Sequence, residues 1–187
     1  LGRNCSNCYV PIFWLASDDH DFREVNHINF LNKSNQPAKV LYESHPADAK
    51  VPVSRINLTG EIDRLLAQLD SETHPSEFKP DVLDKLREAY SSGTGYSDAF
   101  AKWLMALLKP FGLVIIDASD KRIKQLGASL FENEILQRSP SSKAAQQMSA
   151  KLIEANYHNQ VQIHDGFLNL FYAEHARNSI QLKMRNT

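Results

Sequence analysis

The stretch that decides the fold is residues 10–16, VPIFWLA, followed at once by residues 17–21, SDDHD. A nearly continuous apolar run of strand length is typical of a strand buried on both faces, as in a parallel sheet covered by helices. The polar residues come at the carboxyl end of that strand, where open α/β sheets bind their ligands. The abrupt change in polarity therefore predicts the mouth of a binding pocket.

A second apolar run, residues 113–117 (LVIID), predicts a second buried strand. Asp117, Ser119 and Asp120 stand at its carboxyl end, as the acidic residues do in the first strand. We expect Asp117 to lie across the crevice from His20, where it could bind ribose or amine groups. The alternative is that Asp117 caps the helix that begins near Asp120.

Residues 28–57 predict a small antiparallel excursion from the main sheet, with short strands at 28–31 and 39–42. Pro52 restricts the run at 51–53 to an edge strand. Three amphipathic helices follow, whose apolar faces lie at 62–69, 83–90 and 100–108.

The remaining chain predicts two helices, at about 120–137 and 142–156, and then a meander of strands at 160–163, 167–172 and 180–184. The order of strand, helices, strand, helices and strands indicates an α/β fold with a partly parallel sheet flanked by helices. The meander forms a C-terminal appendix to that sheet.

Composition excludes several classes of protein. The 187 residues are 42% hydrophobic and 23% charged, which excludes disorder of the whole chain. A net charge of −1 argues against a protein whose main task is binding nucleic acid or an anionic membrane. No apolar run approaches the roughly 20 residues that span a bilayer, and no signal peptide is visible.

The cysteines and the chain ends carry two further expectations. Cys5 and Cys8 cannot make a disulfide framework, so a reducing, cytoplasmic compartment is expected, and they have no second pair that would complete a zinc site. The chain begins at Leu1 without a methionine and ends at Thr187 directly after a strand-like run. We therefore expect a fragment of a longer protein.

Asp18, Asp19, His20 and Asp21 place four titratable side chains in a row. Such groups are costly to bury unless they face water, a metal or a ligand. His20 is a candidate to stabilise developing charge or to act as an acid or base, and Asp19 and Asp21 to hold an amine or a sugar hydroxyl. Two alternatives stay open: a Zn²⁺ or Mg²⁺ site, and a solvated turn in which Asp18 or Asp19 caps a helix.

Four more residues are secondary candidates. If residues 19–27 are helical, His20 and His27 share one face, with Asn26 beside them. Asn169 lies within an apolar stretch, where a buried amide needs hydrogen-bond partners and belongs either to a structural network or to a ligand site. Arg177 follows it in the tail.

Residues 11–27, PIFWLASDDHDFREVNH, resemble the signature P-x-F-W-x-A-x-[ED]-D-H-D-F-x-E-x-N-H of the bacillithiol biosynthesis cysteine-adding enzyme family, the cysteine ligases. Residues 111–117, with Asp120 and Lys124, are a second match. Residues 157–161 (YHNQV) and 169–171, with Arg177, are a third. The resemblance covers most of the chain from Pro11 onward, apart from 32–95.

The resemblance implies that the chain is the central fragment of a family member and holds a partial Rossmann-like, nucleotidyltransferase-like core over residues 1–187, with 28–95 as an inserted connecting region. It implies ligation of L-cysteine to the amine of glucosaminyl-malate, the last step to bacillithiol. Because an amide forms uphill from a free carboxylate, ATP, with or without Mg²⁺, would activate the carboxyl group. Members of the family are homodimers joined by a long C-terminal coiled coil.

The expected catalytic residues are Asp19, His20 and Asp21, and no resident metal or tightly bound cofactor is expected. The expected substrate-binding residues are Asp18, Asn26, His27, Asp117, Asn169 and Arg177. Two other functions remain open: a non-catalytic ligand-binding or scaffold module that retains the fold, and metal-dependent hydrolysis at the Asp/His cluster.

Overall fold

The structure is a computed structural model that describes residues 9–44, 51–159, 161–164, 166–173 and 179–183, with side chains described as far as Leu170. Cys5, Cys8 and Arg177 lie outside the described residues. The chain divides into two compact units, Leu1–Asp120 and Lys121–Thr187. The predicted limits of the core and of its inserted region at 28–95 stay predictions.

The first unit alternates between strands and helices. Its elements, in chain order, are β1 (Ile12–Leu15), α1 (Phe22–Val25), β2 (His27–Leu31), β3 (Pro37–Leu41), α2 (Glu61–Glu72), α3 (Lys79–Ala89), α4 (Tyr96–Leu108) and β4 (Val114–Asp117). Pro80 lies in the first turn of α3, one residue after the helix begins at Lys79, a position that its fixed φ favours. Gly112, at φ 80°, ends the segment after α4, in a conformation that glycine adopts without strain.

The two strands predicted from apolar runs form a parallel pair. β1 lies beside β4, with Ile12 opposite Val114 and Leu15 opposite Asp117. Since parallel strands end at the same edge of a sheet, residues 16–21 and 118–120 leave it side by side. The parallel sheet and the position of its carboxyl edge are confirmed.

The predicted burial of β1 on both faces is wrong. Ile12 and Trp14 are 57% and 58% exposed, and Leu15 is the buried residue of the strand. The reason is that the described sheet has two strands, while the apolar core of this unit forms elsewhere, around Phe22.

The predicted antiparallel excursion is confirmed for β2 and β3, which pair with His27 opposite Leu41. The edge strand predicted at 51–53 is wrong, because Val53–Arg55 form a single turn of 3-10 helix. Pro52 cannot donate to a strand ladder. The residues after it donate backbone hydrogen bonds to residues 17–21, the acidic turn. The Val53 N–H donates to the Asp19 carbonyl and the Ser54 N–H donates to the Ser17 carbonyl, each at 2.8 Å.

The core of the first unit centres on Phe22, whose side chain is fully buried. Its ring meets Tyr42 and Tyr96 edge to face, with centroids 6.2 and 5.5 Å apart. The predicted stripe of α2 supplies Ile62, Leu65 and Leu66 to the same core. The residue that follows the acidic turn therefore anchors that turn to the core.

The second unit contains α5 (Lys121–Leu126), α6 (Ala128–Leu136), α7 (Pro140–Glu154), β5 (Phe167–Ala173) and β6 (Ser179–Lys183). The single helix predicted at 120–137 is divided at Gly127, which has the poorest helix propensity after proline. The meander is a two-stranded antiparallel hairpin, because residues 161–164 form no strand. Their pattern offers few apolar side chains to a core, and Val161 is 57% exposed.

Glu134 is a buried carboxylate that joins α6 to α7. It accepts hydrogen bonds from the Ser139 hydroxyl at 2.8 Å, the Ser141 hydroxyl at 2.6 Å and the Ser141 backbone N–H at 3.2 Å. Burial alone would raise the pKa of Glu134, but the hydrogen bonds outweigh burial and the net pKa lies below the ordinary value of 4.5.

The stability of the second unit should therefore depend on this carboxylate. A carboxyl group whose pKa is lowered by folding stabilises above its unfolded pKa, and that contribution is lost as pH falls below about 4.5 through the folded pKa. We expect Glu134→Ala to lower the free energy of unfolding at pH 7 by about 1.5–3 kcal/mol. Urea denaturation at pH 7 and pH 3 measures both effects. An equal loss of stability in wild type and variant between those pH values would contradict this role.

Among the described residues, no helix combines the length and the apolar character needed to cross a membrane.

Candidate active site

Asp117 joins the carboxyl ends of β1 and β4 through hydrogen bonds. Its Oδ1 atom accepts hydrogen bonds from the Ser17 hydroxyl, from the Ser119 backbone N–H at 2.7 Å and from the Ser119 hydroxyl at 2.8 Å. The Ala118 N–H also donates to the Leu15 carbonyl at 2.9 Å. These bonds hold the acidic turn after β1 against the turn after β4.

The Asp19 carboxylate shapes the acidic turn from within. Its Oδ1 accepts the backbone N–H of His20 at 2.6 Å and that of Asp21 at 3.3 Å. The same oxygen lies 3.5 Å from His20 Nδ1, which makes an ion pair when the imidazole is protonated. One carboxylate therefore sets the backbone of the turn and faces the imidazole as well.

Asp21 occupies the N-cap position of α1, but its side chain makes no capping hydrogen bond. A capping aspartate accepts a backbone N–H from the first turn of its helix. Phe22, directly after it, is fully buried and fixes the start of the helix. The Asp21 side chain is exposed and its carboxylate is therefore available to a ligand.

Asn26 is the C-cap residue of α1 and His27 is the first residue of β2, so the two do not lie on a helix that includes His20. The helical hypothesis for 19–27 is wrong, because α1 ends at Val25. Asn26 is buried, donates from Nδ2 to the Tyr42 carbonyl at 3.2 Å and lies with Oδ1 3.2 Å from His27 Nδ1. Its amide thus fixes the orientation of the neighbouring imidazole.

A cavity of about 740 Å³ opens beside the acidic turn. Of the residues predicted from sequence, Asp19, Asp21, Asn26 and His27 line it. The cavity lies within the size range of small-molecule sites, which are concave and mostly apolar with a few placed polar groups. The tertiary structure thus brings these four residues to one site.

Asp18, His20 and Asp117 are not among the described residues that line the cavity. The His20 side chain is 41% exposed and adjoins the cavity through Asp19. The Asp117 carboxylate instead accepts the hydrogen bonds from Ser17 and Ser119 that are described above. The predicted substrate contacts of Asp18 and Asp117 stay predictions.

Sequence reasoning missed the aromatic wall of the cavity, to which Tyr90, Tyr96, Phe100 and Trp103 contribute. Three of them recur at the spacing of one helix face, which is also the signal of an ordinary core. No sequence signal therefore marked them as pocket residues.

Both tyrosines of the wall stay neutral across the physiological pH range. Burial raises the pKa of Tyr90 to about 12. Burial, and then the neighbouring Tyr90 and Tyr42, raise the pKa of Tyr96. The Tyr96 hydroxyl donates to the Val25 carbonyl and so ties the start of α4 to the end of α1.

Of the two candidates in the second unit, Arg177 lies outside the described residues and Asn169 differs from expectation. Asn169 is exposed on β5, so the premise of a buried amide is wrong. Leu168, the preceding residue, is buried, and successive side chains of a strand point to opposite faces. Within the described ranges, no group of three or more His, Cys, Asp or Glu side chains is arranged to hold a metal ion.

Removing the hydroxyl of Ser17 should weaken the connection between the carboxyl ends of β1 and β4, beside the acidic turn. Ser17 is 2% exposed and donates to a carboxylate, so we expect Ser17→Ala to lower the free energy of unfolding by about 1–2 kcal/mol. The matched control is Ser119→Ala, which removes a hydroxyl from the same carboxylate but keeps the Ser119 N–H donor. Thermal and urea unfolding compare the two, and an equal or larger loss in Ser119→Ala would contradict this assignment.

Comparison with curated proteins identifies relatives across most of the chain. It is 34% identical over 178 residues to a protein of Salinibacter ruber and 33% identical over 175 residues to one of Chloroherpeton thalassium, which cover 95% and 92% of the chain. A relative from Bacillus velezensis is 25% identical over 181 residues. Each is named "Putative cysteine ligase BshC". The chain spans about a third of the length of these relatives.

A family model described as "Bacillithiol biosynthesis BshC, N-terminal Rossmann-like domain" matches residues 2–187. The match confirms the Rossmann-like fold class, and the share of the relatives that is covered agrees with a fragment, which the family model assigns to the N-terminal domain and not to a central part. The acidic turn, the parallel strand pair and the family match lead to one conclusion. The chain belongs to the BshC family, in which it corresponds to the N-terminal Rossmann-like domain.

Proposed function

We propose that this chain is part of a ligase that joins L-cysteine to the amine of glucosaminyl-malate through an amide bond, in the biosynthesis of bacillithiol. The family and the names of the relatives support a cysteine ligase. The observation that carries the proposal for the site is that Asp19 and Asp21 line one cavity and that the Asp21 side chain makes no capping hydrogen bond to α1.

The acidic turn suits an amine acceptor. In the proposed reaction, Asp19 and Asp21 hold the acceptor amine, and a carboxylate accepts the proton that the amine loses as the carbon–nitrogen bond forms. His20, next to Asp19, stabilises negative charge that develops on the activated carboxyl group or on its leaving phosphate. His27, oriented by Asn26, is a further hydrogen-bonding group at the cavity wall.

ATP is the proposed energy source, with or without Mg²⁺, because a free carboxylate does not form an amide without activation. The described residues that line the cavity include three carboxylates and no lysine or arginine. That lining does not fit a triphosphate, so no contact with the phosphates is assigned to this cavity.

The remaining proposals concern the complete protein. We propose that it is a cytoplasmic homodimer joined by a C-terminal coiled coil, that it acts on small molecules, and that it binds neither nucleic acid nor membrane.

The test is product formation by the complete protein. It is incubated with L-cysteine, glucosaminyl-malate and ATP, with each omitted in turn, and the amide-linked thiol is measured by mass spectrometry. We expect product only in the full mixture. Absence of product with a folded protein would refute the proposed reaction, and calorimetry that detects no binding of any of the three compounds would favour a scaffold module.

A further inference from the structure

Ser97 brings an unused hydroxyl group to the cavity beside the acidic turn. It lies in the first turn of α4, is 5% exposed and lines the cavity. Among the described residues, the Ser97 hydroxyl has no hydrogen-bond partner. Buried hydroxyl groups are ordinarily paired, so an unpaired one in a cavity wall points to a ligand that supplies the partner.

The Ser97 hydroxyl is open to the cavity. In the part of the chain that the structure describes, Trp103 Nε1 is the one side-chain nitrogen or oxygen atom that is both enclosed and unpaired. The unpaired Ser97 Oγ atom therefore keeps accessible surface, and the cavity is the space that Ser97 lines. A ligand in the cavity can reach this atom.

The start of α4 offers further donors beside this hydroxyl. Gly95, at the N-cap, has no side chain that could cap the helix. The Tyr96 N–H donates to the Ile56 carbonyl at 2.8 Å, but within the described ranges the N–H groups of Ser97 and Asp98 have no acceptor. Unpaired N–H groups and the helix dipole make the N-terminus of a helix favourable for an anion. The Asp98 side chain is exposed and is not among the described residues that line the cavity.

These donors suit a single carboxylate. A hydroxyl group and backbone N–H groups are sufficient partners for one carboxylate, whereas a triphosphate needs the cationic side chains that the described lining lacks. The acidic turn follows β1 and its Asp19 and Asp21 are exposed, while Ser97 belongs to α4 and is buried. The cavity therefore offers carboxylates and anion donors on different elements.

We propose that the start of α4 binds a carboxylate of the malate part of glucosaminyl-malate, with the Ser97 hydroxyl donating to it. This proposal rests on the proposed function, in which Asp19 and Asp21 hold the amine of the same acceptor. The carboxyl group of L-cysteine is not the occupant, because it is the group that reacts, whereas the malate carboxylates take no part in the reaction. Ser97 thus determines specificity for an acceptor that carries an acid.

Calorimetry on the complete protein tests the proposal with three ligands: glucosaminyl-malate, the dimethyl ester of its malate part, and L-cysteine. Ser97→Ala should weaken the binding of glucosaminyl-malate about tenfold, because a donor to a charged group is lost. It should change the affinities for the ester and for L-cysteine by less than about twofold. Equal weakening of acid and ester, a loss for L-cysteine in place of glucosaminyl-malate, unchanged affinities, or no binding of glucosaminyl-malate to the wild type would overturn the proposal.

The matched control is Ser92→Ala, which removes a hydroxyl from an exposed residue in the turn before α4, outside the cavity lining. It should leave all three affinities unchanged. Ser97→Ala should also keep the free energy of unfolding of the wild type, because the hydroxyl makes no hydrogen bond within the described structure and alanine is the better helix former. A loss of stability in this variant would assign Ser97 to the fold and overturn its role in binding.

Kinetics on the same variants separate this proposal from the proposed reaction. If the wild type forms the amide and Ser97→Ala has an unchanged KM for glucosaminyl-malate, the assignment of Ser97 fails and the ligase reaction stands. If binding depends on Ser97 and on the free malate carboxylates but the full mixture yields no product, the assignment of Ser97 stands and the ligase reaction fails.

Discussion

Replacing His20 with alanine in the complete protein should reduce the rate of amide-linked thiol formation by about 10²–10³-fold. The proposed role of His20 is to stabilise charge in the transition state, so the loss should appear in kcat more than in KM. The imidazole is 41% exposed, so the fold should tolerate its removal. Mass spectrometry of the product measures the rate, and circular dichroism checks the fold.

The control for this variant is His74→Ala. His74 is an exposed histidine whose Nε2 lies 3.1 Å from Asn35 Oδ1, outside the cavity lining. We expect it to retain the activity of the wild type. An activity of His20→Ala within a few-fold of wild type, with the fold intact, would end the catalytic assignment of His20.

The largest effect on stability is expected at Phe22. Its side chain is fully buried between Tyr42 and Tyr96, and α1 is too short to repack around a cavity. Phe22→Ala should lower the free energy of unfolding of the first unit by about 3–5 kcal/mol. Urea denaturation followed by far-ultraviolet circular dichroism measures the change.

Phe78→Ala is the matched control, since Phe78 is 69% exposed before α3 and the same atoms are removed. It should change the free energy of unfolding by no more than about 0.5 kcal/mol. Similar losses at Phe22 and Phe78 would contradict the position of Phe22 at the centre of the core. Because Phe22 directly follows Asp21, its loss should also disorder the acidic turn.

Local patterns predicted the elements whose formation depends on neighbouring residues. The apolar runs before Asp18 and up to Asp117 predicted two strands of a partly parallel sheet, and these strands form a parallel pair. The stripe that includes Ile62 and Leu65 predicted α2 with its buried face. In each case the sequence period matches the element, so a few adjacent residues carry the information.

Errors arose where distant contacts decide the outcome. Trp14 lies in an apolar run but is exposed, because burial of a strand depends on what covers the sheet and not on the strand itself. The helix predicted across Gly127 divides there, and the predicted third strand of the tail does not form in residues 161–164. Asn169 is exposed although its neighbours in sequence are apolar.

By itself the sequence determined the α/β order, the polar edge at 17–21 and the family signature, since these depend on residue order and local period. Only the tertiary structure decided which of the polar groups line a cavity and which ones join the ends of β1 and β4. Asp21 lines the cavity, while Asp117 joins two strand ends through hydrogen bonds, although both are aspartates that follow apolar runs of the sequence. They differ through hydrogen bonds and packing between residues far apart along the chain, such as Ser17 with Asp117, and no local pattern encodes those contacts.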